Sequence, residues 1–155
     1  MVNRYVRKLR AFTSFGDALA SLSTCKRARC AAVVFPLDFT AVYAIGYNGP
    51  ARGLSNDSCK GEEGRCGCAH AEANAMVKLD PSRAKPSVLY TTTAPCPYCA
   101  ALVANAGCVS VVVYGEAYRD GAGVELLERS GIPCIRRDEI SDKLPKWWPT
   151  GAVNG

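Results

Sequence analysis

Ala31-Ala32-Val33-Val34-Phe35 and Ala41-Val42-Tyr43-Ala44-Ile45 are short apolar runs separated by Pro36-Leu37-Asp38-Phe39-Thr40, and together they read as a β-hairpin. Ahead of them, Phe15 to Leu22 has helical apolar spacing, with Ser14 as the expected cap. Behind them, residues 46–68 carry Gly, Pro, Asn and Asp without periodicity and read as a long loop, the kind that usually serves function in a small domain. Helix and strand then alternate. Ala69 to Leu79 is rich in Ala, Met and Leu and reads as a helix stopped by Asp80-Pro81. Ser87 to Thr92 reads as a buried strand, and Cys96 to Ala106 as a helix opened by Pro95 or Pro97 and closed by Gly107. Val109 to Tyr114 is the next strand, Val124 to Ser130 a helix ended by Gly131, Ile132 to Ile135 a short last strand, and Asp138 to Leu144 a final helix. A hairpin followed by this alternation predicts an α/β fold, a three-layer α/β/α arrangement with a central mixed sheet of about five strands, in one domain spanning 1–155.

The 155 residues carry 19 Lys and Arg against 14 Asp and Glu, for a net charge of +5, and 48% are hydrophobic. That mix excludes a disordered or collagenous chain. No apolar run approaches the roughly 20 residues of a membrane span, so no membrane partner is expected. The modest basic excess suits an anionic substrate without separating a mononucleotide from a polymer. Nine cysteines and one histidine are the unusual counts. An odd number of thiols, with no export signal in the basic stretch Met1 to Lys8, predicts a reduced, cytoplasmic protein whose clustered thiols hold metal.

His70-Ala71-Glu72 and Pro95-Cys96-Pro97-Tyr98-Cys99 each open a predicted helix. Cys96 and Cys99, at i and i+3, share a helix face, so both sulfurs can reach one ion, and a helix N-terminus favours the thiolate that a metal requires. With His70 they make a His-Cys-Cys set that leaves a fourth tetrahedral position for water, the arrangement of a catalytic zinc. Glu72, two residues from the histidine, can take and deliver protons without ligating. Taken singly, a C-x-x-C is also a redox or structural motif, a lone histidine is usually structural, and Glu72 would pass as a helix-surface carboxylate. The conjunction H-x-E with P-C-x-x-C is the pattern of zinc nucleobase deaminases.

On His70-Ala71-Glu72-Ala73-Asn74-Ala75, Pro95 to Ala100 and Gly46-Tyr47-Asn48-Gly49, the chain resembles the deoxycytidylate (dCMP) deaminases of the cytidine deaminase-like superfamily, across roughly residues 15–135. Ser23 to Arg27 and Val111 to Tyr114 are similar to that branch as well. The resemblance implies a cytidine deaminase-like fold, zinc-dependent hydrolysis of dCMP to dUMP and ammonia, and a homo-oligomer, commonly a hexamer. It implies that His70, Cys96 and Cys99 hold zinc, that zinc-bound hydroxide attacks C4 of cytosine, and that Glu72 shuttles protons to N3 and the leaving amine. Asn48 and Ala71 are the implied substrate contacts, the Asn48 amide suiting a sugar hydroxyl because it donates and accepts. Read alone, Asn48-Gly49 is a turn. Arg27 and Arg52 are candidate phosphate partners, each also readable as a solvated charge, and Tyr118 is a candidate cover for the base or a core aromatic. In allosteric members the Gly-Tyr-Asn-Gly segment belongs to a dCTP site with magnesium, which makes dCTP/Mg2+ a candidate effector here. The chain departs from the family in placing Pro50 directly after Gly49, with Ala51 second, and in having Cys30 where a small aliphatic is usual. Cys30, Cys108 and Cys134 read as buried apolar thiols.

Cys59, Cys66 and Cys68 lie in the loop leading to His70, and a turn at Gly67 would let the last two sulfurs converge. With Cys25 they make a candidate all-cysteine second zinc site, structural in role, whose alternative is a set of free thiols. Rival readings remain. One is a deaminase of deoxycytidine or a modified dCMP. Others are an RNA adenosine deaminase using Arg4, Arg7, Lys8 and Arg10, and a zinc-stapled module without turnover. A nucleic-acid partner is not expected, since those four basic residues suit a solvated helix face, and Glu72 argues against the last reading. Trp147 and Trp148 suit either a subunit interface or a core cap.

Overall fold

A computed structural model describes residues 1–80, 82 and 86–149. The hairpin forms as β1 (Ala31–Pro36) and β2 (Ala44–Tyr47), antiparallel, with Ala31 opposite Tyr47 and Val34 opposite Ala44; the second strand begins at Ala44 rather than Ala41 and takes in Gly46 and Tyr47 from the expected loop. β1 is buried along its whole length because it has strands on both edges and helices over both faces. It also pairs antiparallel with β3 (Ser87–Thr93), which continues in parallel to β4 (Val109–Glu116) and β5 (Cys134–Arg136). The sheet order is β2-β1-β3-β4-β5, mixed and five-stranded as expected.

Strand alternation sorts the side chains into two cores. Val33, Phe35, Val88, Tyr90, Val111 and Val113 point to one face, which α1 (Arg4–Leu19) covers. Ala32, Val34, Leu89 and Val112 point to the other, beneath α2 (Ala71–Met76), α3 (Pro97–Ala106) and α4 (Ala122–Arg129). The three layers follow from that sorting.

Three expectations are corrected. The first helix begins at Arg4, and Ser14 lies inside it; the cap is Asn3, whose side chain accepts the Tyr5 N–H at 2.7 Å. Val6, Leu9, Thr13, Gly16 and Leu19 form its buried stripe, so the helical period extends well before Phe15. Second, α2 is shorter than 69–79, running from its N-cap His70 to Met76, and the expected stop at Pro81 lies outside the described residues. Third, no helix forms over 138–144. Arg137–Glu139 make one 3-10 turn, after which the Asp142 carbonyl accepts the Asn3 N–H at 2.9 Å and the Ser141 carbonyl faces Arg10. These bonds lay the segment against α1 in a non-helical course. Trp148 is buried in the α1 core, which makes it a core cap.

Close packing holds α2 in place. A Cβ on Gly46 of β2 would lie 2.1 Å from the Ala71 carbonyl oxygen and 2.5 Å from the Ala75 nitrogen, both backbone atoms. Gly46→Ala is expected to destabilise the fold by about 2–3 kcal/mol, the cost of overpacking against atoms that cannot rotate away. A urea midpoint equal to that of the parent chain would refute this packing.

Candidate metal centre and active-site pocket

Two helix starts bring the first ligand set together. His70 caps α2 in extended backbone geometry, and Cys96 caps α3 with Pro97 at the first helical position. The Cys96 sulfur accepts the Cys99 N–H at 3.5 Å, and His70 Nδ1 stands 3.5 Å from the sulfurs of both Cys96 and Cys99. All three ligand atoms lie within 4.8 Å of one another. Burial pushes the Cys99 thiol well above its ordinary range, and the nearby Glu72 and Cys96 push it further. A divalent cation supplies what such crowded sulfurs lack, so the donor set fits zinc by geometry and by charge.

Glu72, in the first turn of α2, is buried, and burial raises its carboxyl above the usual range. Its Oε1 is 3.0 Å from Thr91 Oγ1 on β3, and the same hydroxyl is 2.8 Å from the Thr93 carbonyl oxygen. A hydroxyl has one hydrogen. Thr91 therefore donates to Glu72 when it is a carboxylate, and turns to Thr93 when a protonated Glu72 donates to it.

His70, Ala71, Glu72 and Cys96 line a cavity of about 250 Å³. Asn48, Arg27 and Tyr118 line it too, while Arg52 lies exposed on the loop and is not part of the lining. Asn48 has less to offer a ligand than its side chain suggests. Its Oδ1 accepts from the Cys30 N–H at 2.8 Å and lies 2.6 Å from Ser23 Oγ, whose single hydrogen also has the Asn48 backbone carbonyl within reach at 2.9 Å, and its Nδ2 donates to the Ala28 carbonyl at 2.8 Å. One amide hydrogen is engaged and at least one oxygen lone pair, so one N–H remains and at most one acceptor position. Cys30 is half-buried rather than a core thiol; it lines the cavity, with its sulfur 3.6 Å from Thr93 Oγ1. Cys108 and Cys134 are also only half-buried, against the helix-covered core.

Sequence reading overlooks four residues here. Thr91 and Thr93 pass as strand residues. Arg119, next to Tyr118, lines the cavity and forms a 2.8 Å ion pair with Glu63 of the long loop, which lines it as well. Adjacency to Tyr118 was the available signal for Arg119; nothing in the spacing marks Glu63.

The loop thiols do converge. Cys25, Cys59, Cys66 and Cys68 place their sulfurs within 4.8 Å of one another, with Gly67 at φ 76° making the turn between the last two. The Lys26 N–H bonds the Cys59 sulfur at 3.3 Å and lowers that thiol to about 7, so it ionises readily. Burial and the neighbouring thiols hold Cys68 in the opposite direction, far above its ordinary value. Four thiols this close cannot all ionise without a cation, and the tetrad fits a tetrahedral metal. It also walls the cavity, through Cys25, Cys66 and Cys68. A paired bridge between Gly49 and Ala69 joins the loop's start to the residue before His70.

Residues 7–116 match the family described as the cytidine and deoxycytidylate deaminase zinc-binding region. The chain is 32% identical to the deoxycytidylate deaminase of Saccharomyces cerevisiae over 133 residues, 78% of this chain but 42% of that protein. It is likewise 32% identical to the deoxycytidylate deaminase of Mycobacterium phage D29, over 68% of this chain and 93% of that one. It thus spans about two-fifths of the yeast protein and nearly all of the phage protein. Among solved structures, the dCMP deaminase of cyanophage S-TIM5, in complex with dCMP and dUMP, superposes with a TM-score of 0.71 at 28% identity, covering 88% of this chain and 99% of that one.

Proposed function

This chain belongs to the cytidine and deoxycytidylate deaminase zinc-binding family, and on that footing we propose that it hydrolyses dCMP to dUMP and ammonia. The observation carrying the reading is the meeting of His70, Cys96 and Cys99 beside the buried Glu72, with His70, Cys96 and Glu72 on the cavity wall. The name of the D29 relative and the nucleotides bound to the S-TIM5 enzyme support the choice of dCMP.

His70, Cys96 and Cys99 would hold the ion, and bound zinc supplies Lewis-acid activation of water near neutral pH. Glu72 takes a proton from that water at its carboxylate, gives one to pyrimidine N3, and serves the departing amine. Thr91 keeps the carboxylate aimed by following its protonation with a hydroxyl rotation. Ala71 opens α2, so its N–H has no helical acceptor and is free to bind the base. Asn48 offers the sugar one N–H, and Tyr118 covers the base. Arg27 and Arg119 face the phosphate, where a guanidinium fork fits better than an ammonium. Cys25, Cys59, Cys66 and Cys68 hold a second, structural zinc. The unit works as one deaminase domain and as a homo-oligomer, with dCTP/Mg2+ as candidate effector.

Ammonia release from zinc-loaded protein tests the reading, with dCMP, CMP, deoxycytidine and 5-methyl-dCMP compared at equal concentration. Turnover of dCMP is expected at roughly ten times that of deoxycytidine or more, since charge-assisted phosphate bonds are lost in the nucleoside. A zinc-replete protein that leaves dCMP untouched overturns the proposal.

A further inference from the structure

The Glu63–Arg119 ion pair closes a bridge between two walls of the cavity, the long loop on one side and the turn after β4 on the other. Glu63 sits between Cys59 and Cys66, two members of the thiol tetrad, so its backbone is pinned at both ends rather than trailing in solvent. Next to it, the Arg65 N–H bonds the Glu62 carbonyl at 3.2 Å and tightens the turn. Arg119 is oriented independently, its guanidinium 5.4 Å from the Tyr118 ring centroid. Both partners of the pair remain substantially exposed, with side chains 44% and 65% accessible. An exposed pair of this kind is weak and exchanges readily with another anion.

We propose that Glu63 is a displaceable counter-ion that weakens, and so tunes, the protein's hold on a 5′-phosphate. Without a ligand, one oxygen of its carboxylate holds the Arg119 Nε, so the guanidinium edge that includes Nε is the one contested. A phosphate dianion entering the cavity offers Arg119 more charge and a bidentate partner, and Glu63 is released. A neutral nucleoside brings nothing that exchanges with Glu63, so the ion pair stays closed beside it. Glu63 thus taxes every anion that binds Arg119, by competition and by like-charge repulsion, and only a doubly charged group overcomes it. The assignment rests on the substrate reading above, but its physical core, competition for one guanidinium, is measurable without turnover.

The test uses the zinc-loaded protein, its Glu63→Gln and Arg119→Gln variants, and the double variant. Calorimetric titration with inorganic phosphate is expected to show binding roughly two- to fivefold tighter in Glu63→Gln, the fold-change that an exposed ion pair corresponds to. Phosphate binding weakens in Arg119→Gln, and adding Glu63→Gln to that background restores little, because the competition has lost its object. KM for dCMP falls by a similar factor in Glu63→Gln with kcat unchanged, while KM for deoxycytidine does not move. Phosphate affinity and dCMP KM both unchanged in Glu63→Gln, or an equal gain for deoxycytidine, overturns the assignment. If phosphate affinity rises as expected and no pyrimidine is turned over, the counter-ion role stands and the substrate reading falls.

Discussion

Glu72→Gln is expected to lower kcat for deamination by about a thousandfold or more, toward the upper part of the range for general acid–base groups, because one carboxylate serves successive proton transfers. The amide is close to isosteric and keeps an oxygen 3.0 Å from Thr91 Oγ1, so the hydrogen bond that aims the side chain survives. It cannot carry a proton between water and the base. Zinc content should stay at the parental value, because His70, Cys96 and Cys99 make up the ligand set. The melting temperature should stay level or rise, since the substitution removes an ionisable group from a buried position where burial already disfavours its charge. Full activity in this variant would refute the proton-shuttle role. Loss of zinc together with activity would mean that Glu72 positions the metal instead.

Cys59→Ser is the second large effect. The parent chain should carry two zinc ions and the variant one, measured by atomic emission on protein freed of loose metal. Cys59 is 2% exposed, stands 3.9 Å from the Cys25 sulfur, and has its thiol lowered by the Lys26 N–H. A serine oxygen at that place is a poor match for a site built from three sulfurs. The long loop, with few apolar side chains to bury, then loses its fastening. On the order of 3 kcal/mol of stability goes with it, which for a chain of this size lowers Tm by roughly 10 °C. KM for dCMP rises as well, since Cys25, Cys66 and Cys68 wall the cavity. One zinc per chain in the parent, or two in the variant, would sink the assignment.

The difference between what could and could not be read in advance has a physical pattern. His70, Glu72, Cys96 and Cys99 were legible because their chemistry depends on short spacings at two helix starts, and short spacings survive in one dimension. The loop tetrad was legible by composition, since several sulfurs in a polar loop have few other uses. β1 and β2 announced themselves through apolar runs around a turn. The start of α1 did not, because Arg4, Arg7, Lys8 and Arg10 dilute the buried stripe until the full period from Val6 to Leu19 is counted. The C-terminal segment looked helical from its spacing, but it lies against α1 in a non-helical course, bonded to Asn3 and Arg10 far away in sequence. Glu63 with Arg119, and Glu72 with Thr91, are likewise long-range pairs that no local pattern encodes. Asn48 shows a subtler limit: its residue type predicts both donor and acceptor capacity, and its neighbours have used part of each.

The antiparallel seam between β1 and β3 brings Ala31 to Thr92 across 61 positions of chain. β2, most of the thiol tetrad and His70 all lie in the intervening stretch. During folding that stretch must close as one large loop before the central strands repay the entropy, which makes the seam a slow step. Until it forms, nine thiols are solvated with no fixed partners, free to cross-link wrongly with one another. Refolding yield should therefore depend more on reductant than on temperature, with the hazard greatest before the first strand meets the third.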